Sequence, residues 1–403
     1  MNASKGGPAQ VAYIQGVQTP ATAVAPALFA QWTRRMRFAA QSSTAANIGS
    51  SNNIQLKKTG VISALEIRVS GSMVIGGTIG TTTASYEWPY NLLKGIKLSV
   101  NGQSQLVDVR GLDCKANEYM TDKEVNDRGV AQRVGNATAI QQGTLSLSSE
   151  DWGGTGAAAN YIAPGLNVAA IGTYPIDLTF VVPVAISQVN LVGSLFGQSQ
   201  ATNINLELIW GSQSELFSAF GGAATLTTTS IVFDVTAVAY SIPVVDGNTV
   251  VPDLSQLHGL NRVPQPVPSA GPLEFPLPGT GAGRTLARLF WNTYSGAAAA
   301  AVPYAMNATN FGEVAYKFGG NDVLETVPNG AKIRAINERS YNTDIGKVWG
   351  YACWDFISQY ALRDLIDLGT TSDFRLLQNL LQTPTSGMLH LTQETLFAAA
   401  VGA

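Results

Sequence analysis

The chain has two histidines, His258 and His390, and two cysteines, Cys114 and Cys353, each pair far apart in sequence. Chelation of a metal, or a nucleophile with its base, needs such groups gathered at short recurring spacings. These four residues have none, so the sequence predicts no catalytic residue, no metal and no cofactor. Paired carboxylates can cleave glycosidic bonds at separations that sequence does not reveal. The best pair is Glu150 and Asp151 beside Trp152, an aromatic able to stack on a sugar; the competing reading is a solvated loop after a strand. The run GTGAGRT (Gly279–Thr285) lacks the Lys-Ser/Thr of a phosphate loop and reads as a Gly-rich connection. Asn2, Asn136 and Asn307 begin Asn-Ala-Ser/Thr triplets, which read as chance matches where no secretory leader is expected.

The N-terminal stretch APALFAQWTRRMRFAA (Ala25–Ala40) offers a different kind of chemistry. On a helix, Leu28, Phe29, Trp32, Met36 and Ala39 share one face, with Arg34 and Arg37 opposite and Arg35 at the edge. A basic amphipathic helix of this kind suits either an anionic membrane surface or an apolar stripe on the same or a neighbouring subunit.

Composition sets the frame for these residues. Charged side chains make up 13% of the 403 residues, against about a quarter in ordinary domains, and the formal net charge is −3. With no block of Lys and Arg, electrostatic binding of nucleic acid has no support. Two distant cysteines suit folding in a reducing compartment. No uncharged stretch has the ~20 mostly apolar residues of a membrane-crossing helix.

From Ser50 to Ser241 the pattern is alternation. Leu65, Ile67, Val69, Met73 and Ile75 mark one strand face, and Asn101-Gly102 between Ile96–Val100 and Leu106–Val109 signals a hairpin. Asp113–Gly129 reads as a polar surface helix or excursion. Eight of the 18 prolines fall in 241–283, which predicts a connection or a sheet edge. Strand candidates resume at Leu286–Tyr294, Glu313–Phe318, Lys332–Asn337, Val348–Phe356 and Met388–Thr392. One element occurs twice: Ile-Ser-Gln at Ile186 and again at Ile357, each after a strand-like run. Leu191 then matches Leu362, and Leu206 matches Leu377. The 171-residue offset suits two similar β-domains in tandem.

LTFVVPVAISQVNLVGSLF (Leu178–Phe196), ATNINLELIWG (Ala201–Gly211) and IPVVDGNTVVPDLSQLHGLN (Ile242–Asn261) resemble the double jelly-roll major capsid proteins of tectivirus-type phages with an internal membrane, a lineage shared with the adenovirus hexon. IGKVWGYACWDF and GMLHLTQETLF are looser matches near the C-terminus. The resemblance implies an all-β chain of two tandem eight-stranded jelly rolls with short helices in loops and a helical N-terminal arm. The expected division is an arm at 1–49, a first jelly roll at 50–245, a Pro-rich connection at 246–283 and a second jelly roll with a C-terminal tail at 284–403. It implies a structural protein, not an enzyme, found in the virion shell after folding in the host cytoplasm. Three chains would form a pseudo-hexagonal capsomer, with neighbouring capsomers, vertex and minor capsid proteins and the membrane surface as partners. The arm residues Leu28, Phe29, Trp32, Arg34, Arg35, Met36 and Arg37 would meet membrane or neighbour. A carbohydrate-binding or -cleaving β-sandwich, with Trp152, Trp291 and Trp349 around a cleft, is the alternative from another class. A single-jelly-roll minor capsid protein fits the internal repeat less well.

Overall fold

Alternating sequence becomes alternating burial. In Ile204–Trp210 and Phe374–Leu380 every second side chain is buried, starting with the first residue. Such strands need a partner sheet over one face only. In a computed structural model of the chain, residues 33–121 and 162–398 are described apart from short interruptions, with Thr22–Ala23, Phe29, Trp32, Gln132–Arg133 and Leu145–Ser146 beside them.

Sixteen strands make two sandwiches. The first uses β1 (Arg35–Ala45), β2 (Ser51–Gln55), β3 (Val61–Ala84), β4 (Leu93–Val100), β5 (Gln103–Val109), β6 (Gly172–Pro183), β7 (Ile204–Trp210) and β8 (Val232–Tyr240). The second uses β9 (Gln256–Val267), β10 (Gly271–Pro276), β11 (Arg284–Ser295), β12 (Phe311–Phe318), β13 (Asp322–Val327), β14 (Ala352–Asp355), β15 (Phe374–Leu380) and β16 (Gly387–Ala398). Their antiparallel pairings are β1-β8-β3-β6 facing β2-β7-β4-β5, then β9-β16-β11-β14 facing β10-β15-β12-β13. The second set repeats the order of the first strand for strand, and that order is the jelly roll. Helix α1 (Gly111–Thr121) follows the fifth strand of the first barrel and α2 (Gly330–Tyr341) follows the fifth strand of the second. Where β9 runs parallel to β5, at Leu260–Val107 and Asn261–Asp108, one sheet continues from barrel to barrel.

The duplicated element sits at the same place in both barrels, after the sixth strand. Leu195–Phe196 pairs with the start of β3, as Ile366–Asp367 pairs with the start of β11. The two signature isoleucines, Ile186 and Ile357, pack in one buried cluster with Ala287 and Leu396. The match of Leu206 with Leu377 fails: Leu206 is buried whereas Leu377 is half-buried on the opposite strand face, so the equivalence slips by one residue in the seventh strand. Leu362 and the short helix expected beside it lie outside the described residues.

Four other expectations are corrected. The arm predicted as a helix over Ala25–Ala40 makes a helical turn, with Thr33 donating to the Phe29 carbonyl, and then becomes β1 from Arg35. Met36, Phe38 and Ala40 turn toward the sheet interior while Arg35, Arg37 and Ala39 face outward. Met36 and Arg37 fit both periods, Phe38 and Ala39 exchange faces between them, and the open edge of β8 supplies backbone partners that only a strand can use. The first barrel therefore begins inside the segment 1–49. The Pro-rich 246–283 holds three strands, Asn248–Val251, β9 and β10: Pro264 and Pro266 lie where β9 pairs with β16 alone, and β10, with Pro272 and Pro276, is a sheet edge. Lys332–Asn337 is helical, because Ile333, Asn337 and Tyr341 at four-residue spacing form the buried stripe of α2. Asp113–Thr121 is no surface helix: Asp113, Cys114, Lys115, Ala116 and Asn117 of α1 are buried.

Candidate functional site

The second barrel's sheet β9-β16-β11-β14 is covered on both faces. Leu289, Trp291, Leu389 and Leu391 point into the second barrel's own core. Their alternates Leu260, Phe290, Tyr351 and Cys353 join the core of the first barrel. The same outward rows carry charged and polar groups: His258 and Arg262 on β9, Arg288, Asn292 and Tyr294 on β11, His390 and Glu394 on β16. A charge buried there is tolerable only if paired and hydrogen-bonded.

At one end, Arg288 donates from Nη1 to Glu394 Oε2 at 2.6 Å, and its Nε lies 3.2 Å from Asp355 Oδ1. His258 Nε2 donates to the other Glu394 oxygen at 2.9 Å. Burial would raise the pKa of Glu394, but Arg288 and His258 outweigh it and bring it down to about 2. Tyr341 of α2 donates to Asp355 at 2.5 Å, and Asn337 exchanges two hydrogen bonds with the backbone of Cys353. Backbone of the first barrel closes over this end. Gly193 has φ of 88°, and a Cβ there would lie 2.5 Å from that of His258.

Further along, the first barrel supplies Arg110 and Asp113. Arg110 donates to Asp113 from its backbone N at 3.0 Å, from Nε at 3.0 Å and from Nη2 at 2.7 Å, and also to Glu87. From the second barrel, Tyr351 donates its hydroxyl proton to Asp113, and Asn292 Nδ2 donates to Tyr294 at 2.9 Å. Burial pushes the Asp113 carboxyl up, yet the charge and hydrogen bonds of Arg110 hold it well below the usual carboxylate range. Burial lowers the pKa of His390, and the Arg110 and Arg262 charges lower it further. Trp349 Nε1 donates to the Tyr86 carbonyl at 2.9 Å, adding a neutral tie between barrels. Beyond these groups the interface opens into a cleft of about 700 Å³.

His258 and His390 stay apart, each in its own cluster, and both cysteines are buried and free. Cys114 donates to the Val181 carbonyl at 3.1 Å, and burial raises the thiol pKa of both residues. Among the described residues no three His, Cys, Asp or Glu could hold a metal ion. Glu150, Asp151 and Trp152 lie outside the described residues. Trp291 and Trp349 are fully buried and cannot form a sugar platform.

Of the arm residues, Leu28 lies outside the described set. Phe29 is fully buried in the chain's own cluster with Val61, Leu191, Tyr240 and Val251. Trp32 is 45% exposed, Arg34 and Arg35 are exposed, and Met36 is half-buried. Arg37 pairs with Glu66 at 3.0 Å. Val244, 67% exposed, follows Ser241, whose carbonyl accepts from Thr33 at 2.5 Å, so Trp32 and Val244 belong to one end of the first barrel.

No protein-family model matches the chain, and no curated protein matches it by sequence. Solved structures do. The MCP of Sulfolobus Turreted Icosahedral Virus (STIV) is similar at a TM-score of 0.61 with 18% identity, over 90% of this chain and 96% of that one. The PBCV-1 virus capsid gives a TM-score of 0.53 with 12% identity, over 92% and 96%. The major capsid protein of bacteriophage PM2 gives 0.50 with 10% identity, over 92% and 100%. The chain has the double jelly-roll fold. In this double jelly roll the charged rows belong to the seam between barrels, which sequence reasoning missed: polar residues alternating with core residues look the same whether they face water or a second barrel.

Proposed function

We propose that the chain is the major capsid protein of an icosahedral virus with an internal membrane, and that three copies form a pseudo-hexagonal capsomer. The observation that carries this reading is the pair of jelly rolls with one strand order, joined by a continuous sheet. Two similar barrels per chain let three chains present six nearly equivalent columns. The whole-chain similarity to viral capsid proteins supports it. The role is structural rather than catalytic, its place is the virion shell after folding in the host cytoplasm, and its partners are neighbouring capsomers with vertex and minor capsid proteins.

As functional divisions we propose an arm up to Arg34, a first barrel from Arg35 to Tyr240, a connection over 241–255, and a second barrel from Gln256 to Ala398. Trp32, Arg34 and Arg35, with Val244 beside them, are the residues of this end free to meet the membrane surface or a neighbour. Phe29 serves the chain's own packing instead.

Light scattering with image averaging of the purified full chain tests the reading. A stable trimer of the 42.4 kDa chain with a six-sided outline is the expected result. A monomer that binds or cleaves a glycan would overturn it in favour of the carbohydrate-directed sandwich.

A further inference from the structure

The cleft at the open end of the barrel seam is walled by Val109 and Ile209 of the first barrel and by Ala297, Ala299 and Met388 of the second. Its volume of about 700 Å³ falls in the range of small-ligand sites. Two of its cations are already committed. Arg110 is bound by Asp113 and Glu87, and Lys94 is held by Glu215. Arg262 is not. Its one carboxylate within 4.0 Å among the described residues is Asp113, at 3.9 Å, which already accepts from Arg110 and Tyr351. The Arg262 side chain is 28% exposed and lines the cleft.

His390 lines the same cleft, and its Nδ1 is shielded from solvent with no hydrogen-bond partner. The ring stands edge-on to Tyr294, 5.3 Å between centroids. The groups facing it are Arg110 and Asp113 from the first barrel, Arg262 from β9 and Tyr294 from β11. Arg110 is already matched by Asp113 and Glu87, so Arg262 is the cation of this corner without a close carboxylate of its own.

We propose that the cleft binds a small oxyanion, a phosphate or carboxylate group held between Arg262 and His390 with Lys97 at the rim. The planar fork of Arg262 matches two oxygens, and a protonated imidazole adds a charge-assisted bond once an anion stands beside it. Glu87 and Asp108 also line the cleft. Glu87 is taken by Arg110, and Asp108, cross-strand from Lys97, restricts the site to a single anionic group. The apolar walls leave room for a small body attached to that group. The inference stands apart from the assembly reading, because it concerns a cleft within one chain.

Two histidines make the test clean. The full chain, labelled at histidine Cε1, is followed by NMR while inorganic phosphate or acetate is added and NaCl is reduced to hold ionic strength constant. The expected result is a saturable shift of the His390 signal with either or both anions and a rise of its titration midpoint, while His258 at the far end of the seam stays unmoved. Arg262→Gln should weaken that binding by about tenfold or more, with the His258 signal reporting that the fold is kept. Phosphate alone would place phosphates as the ligand class, and acetate alone carboxylates. His390 responding no more than to chloride, His258 moving in step with it, or Arg262→Gln binding as tightly as wild type would each overturn the proposal. Should that variant not fold, the wild-type titration against chloride decides.

Discussion

Asp113 accepts from Arg110 and Tyr351 in the buried seam, so removing it leaves the Arg110 guanidinium with Glu87 as its remaining carboxylate and takes the acceptor from the Tyr351 phenol. Asp113→Ala should cost about 3–5 kcal/mol in urea unfolding. Arg110→Met combined with Asp113→Leu should cost less than Asp113→Ala, since the fully buried pair leaves together and the one carboxylate that loses its partner, Glu87, is partly exposed to water. Acid stability has two separable components. The folded pKa of His390 lies below its ordinary 6.5, so the unfolded chain takes up a proton that the folded chain refuses, and stability falls as pH drops below about 6.5. Glu394 is the opposite kind of group. Its carboxylate is favoured in the folded state, so its contribution is complete above its ordinary 4.5 and is lost as pH falls toward about 2. Urea midpoints measured from pH 8 to pH 3 should therefore decline in two stages, and His390→Gln should remove only the earlier one.

At the scale of elements, the loop after the sixth strand of each barrel meets its counterpart through Ile186 and Ile357. Truncating either to Ala should cost roughly 2–4 kcal/mol, and the double variant should fall short of additivity because both empty the same cluster. Gly193→Ala should also destabilise, since its Cβ would meet His258 in a backbone conformation that L side chains rarely adopt. The hairpin at Asn101 and the alternation of β6 and β7 were legible in the sequence, because each has one wet face and one dry face. β1 was not, since Met36 and Arg37 fall on opposite faces in either period, and only Phe38, on the charged side of a helix but the dry side of a strand, spoke for the strand. Nor was the burial of α1, whose Asp113, Lys115 and Asn117 read as a solvated face until a second barrel covers them. Alternation reports that two faces differ in polarity and is silent on what lies against the polar one.

For the whole molecule, a sheet covered on both faces makes the barrels mutually dependent. Residues 1–250 and 251–403 produced separately should aggregate or remain unfolded, whereas the intact chain should melt in a single calorimetric transition; two well-separated transitions would contradict the seam described above. The parallel register at Leu260–Val107 has a mechanical corollary. Backbone hydrogen bonds run unbroken across the joint, and ion pairs brace it from the side, so neither barrel can pivot on the other. Each molecule is in effect a stiff tile without a hinge, and in the shell proposed above the bending would have to occur at the grout, between one molecule and the next.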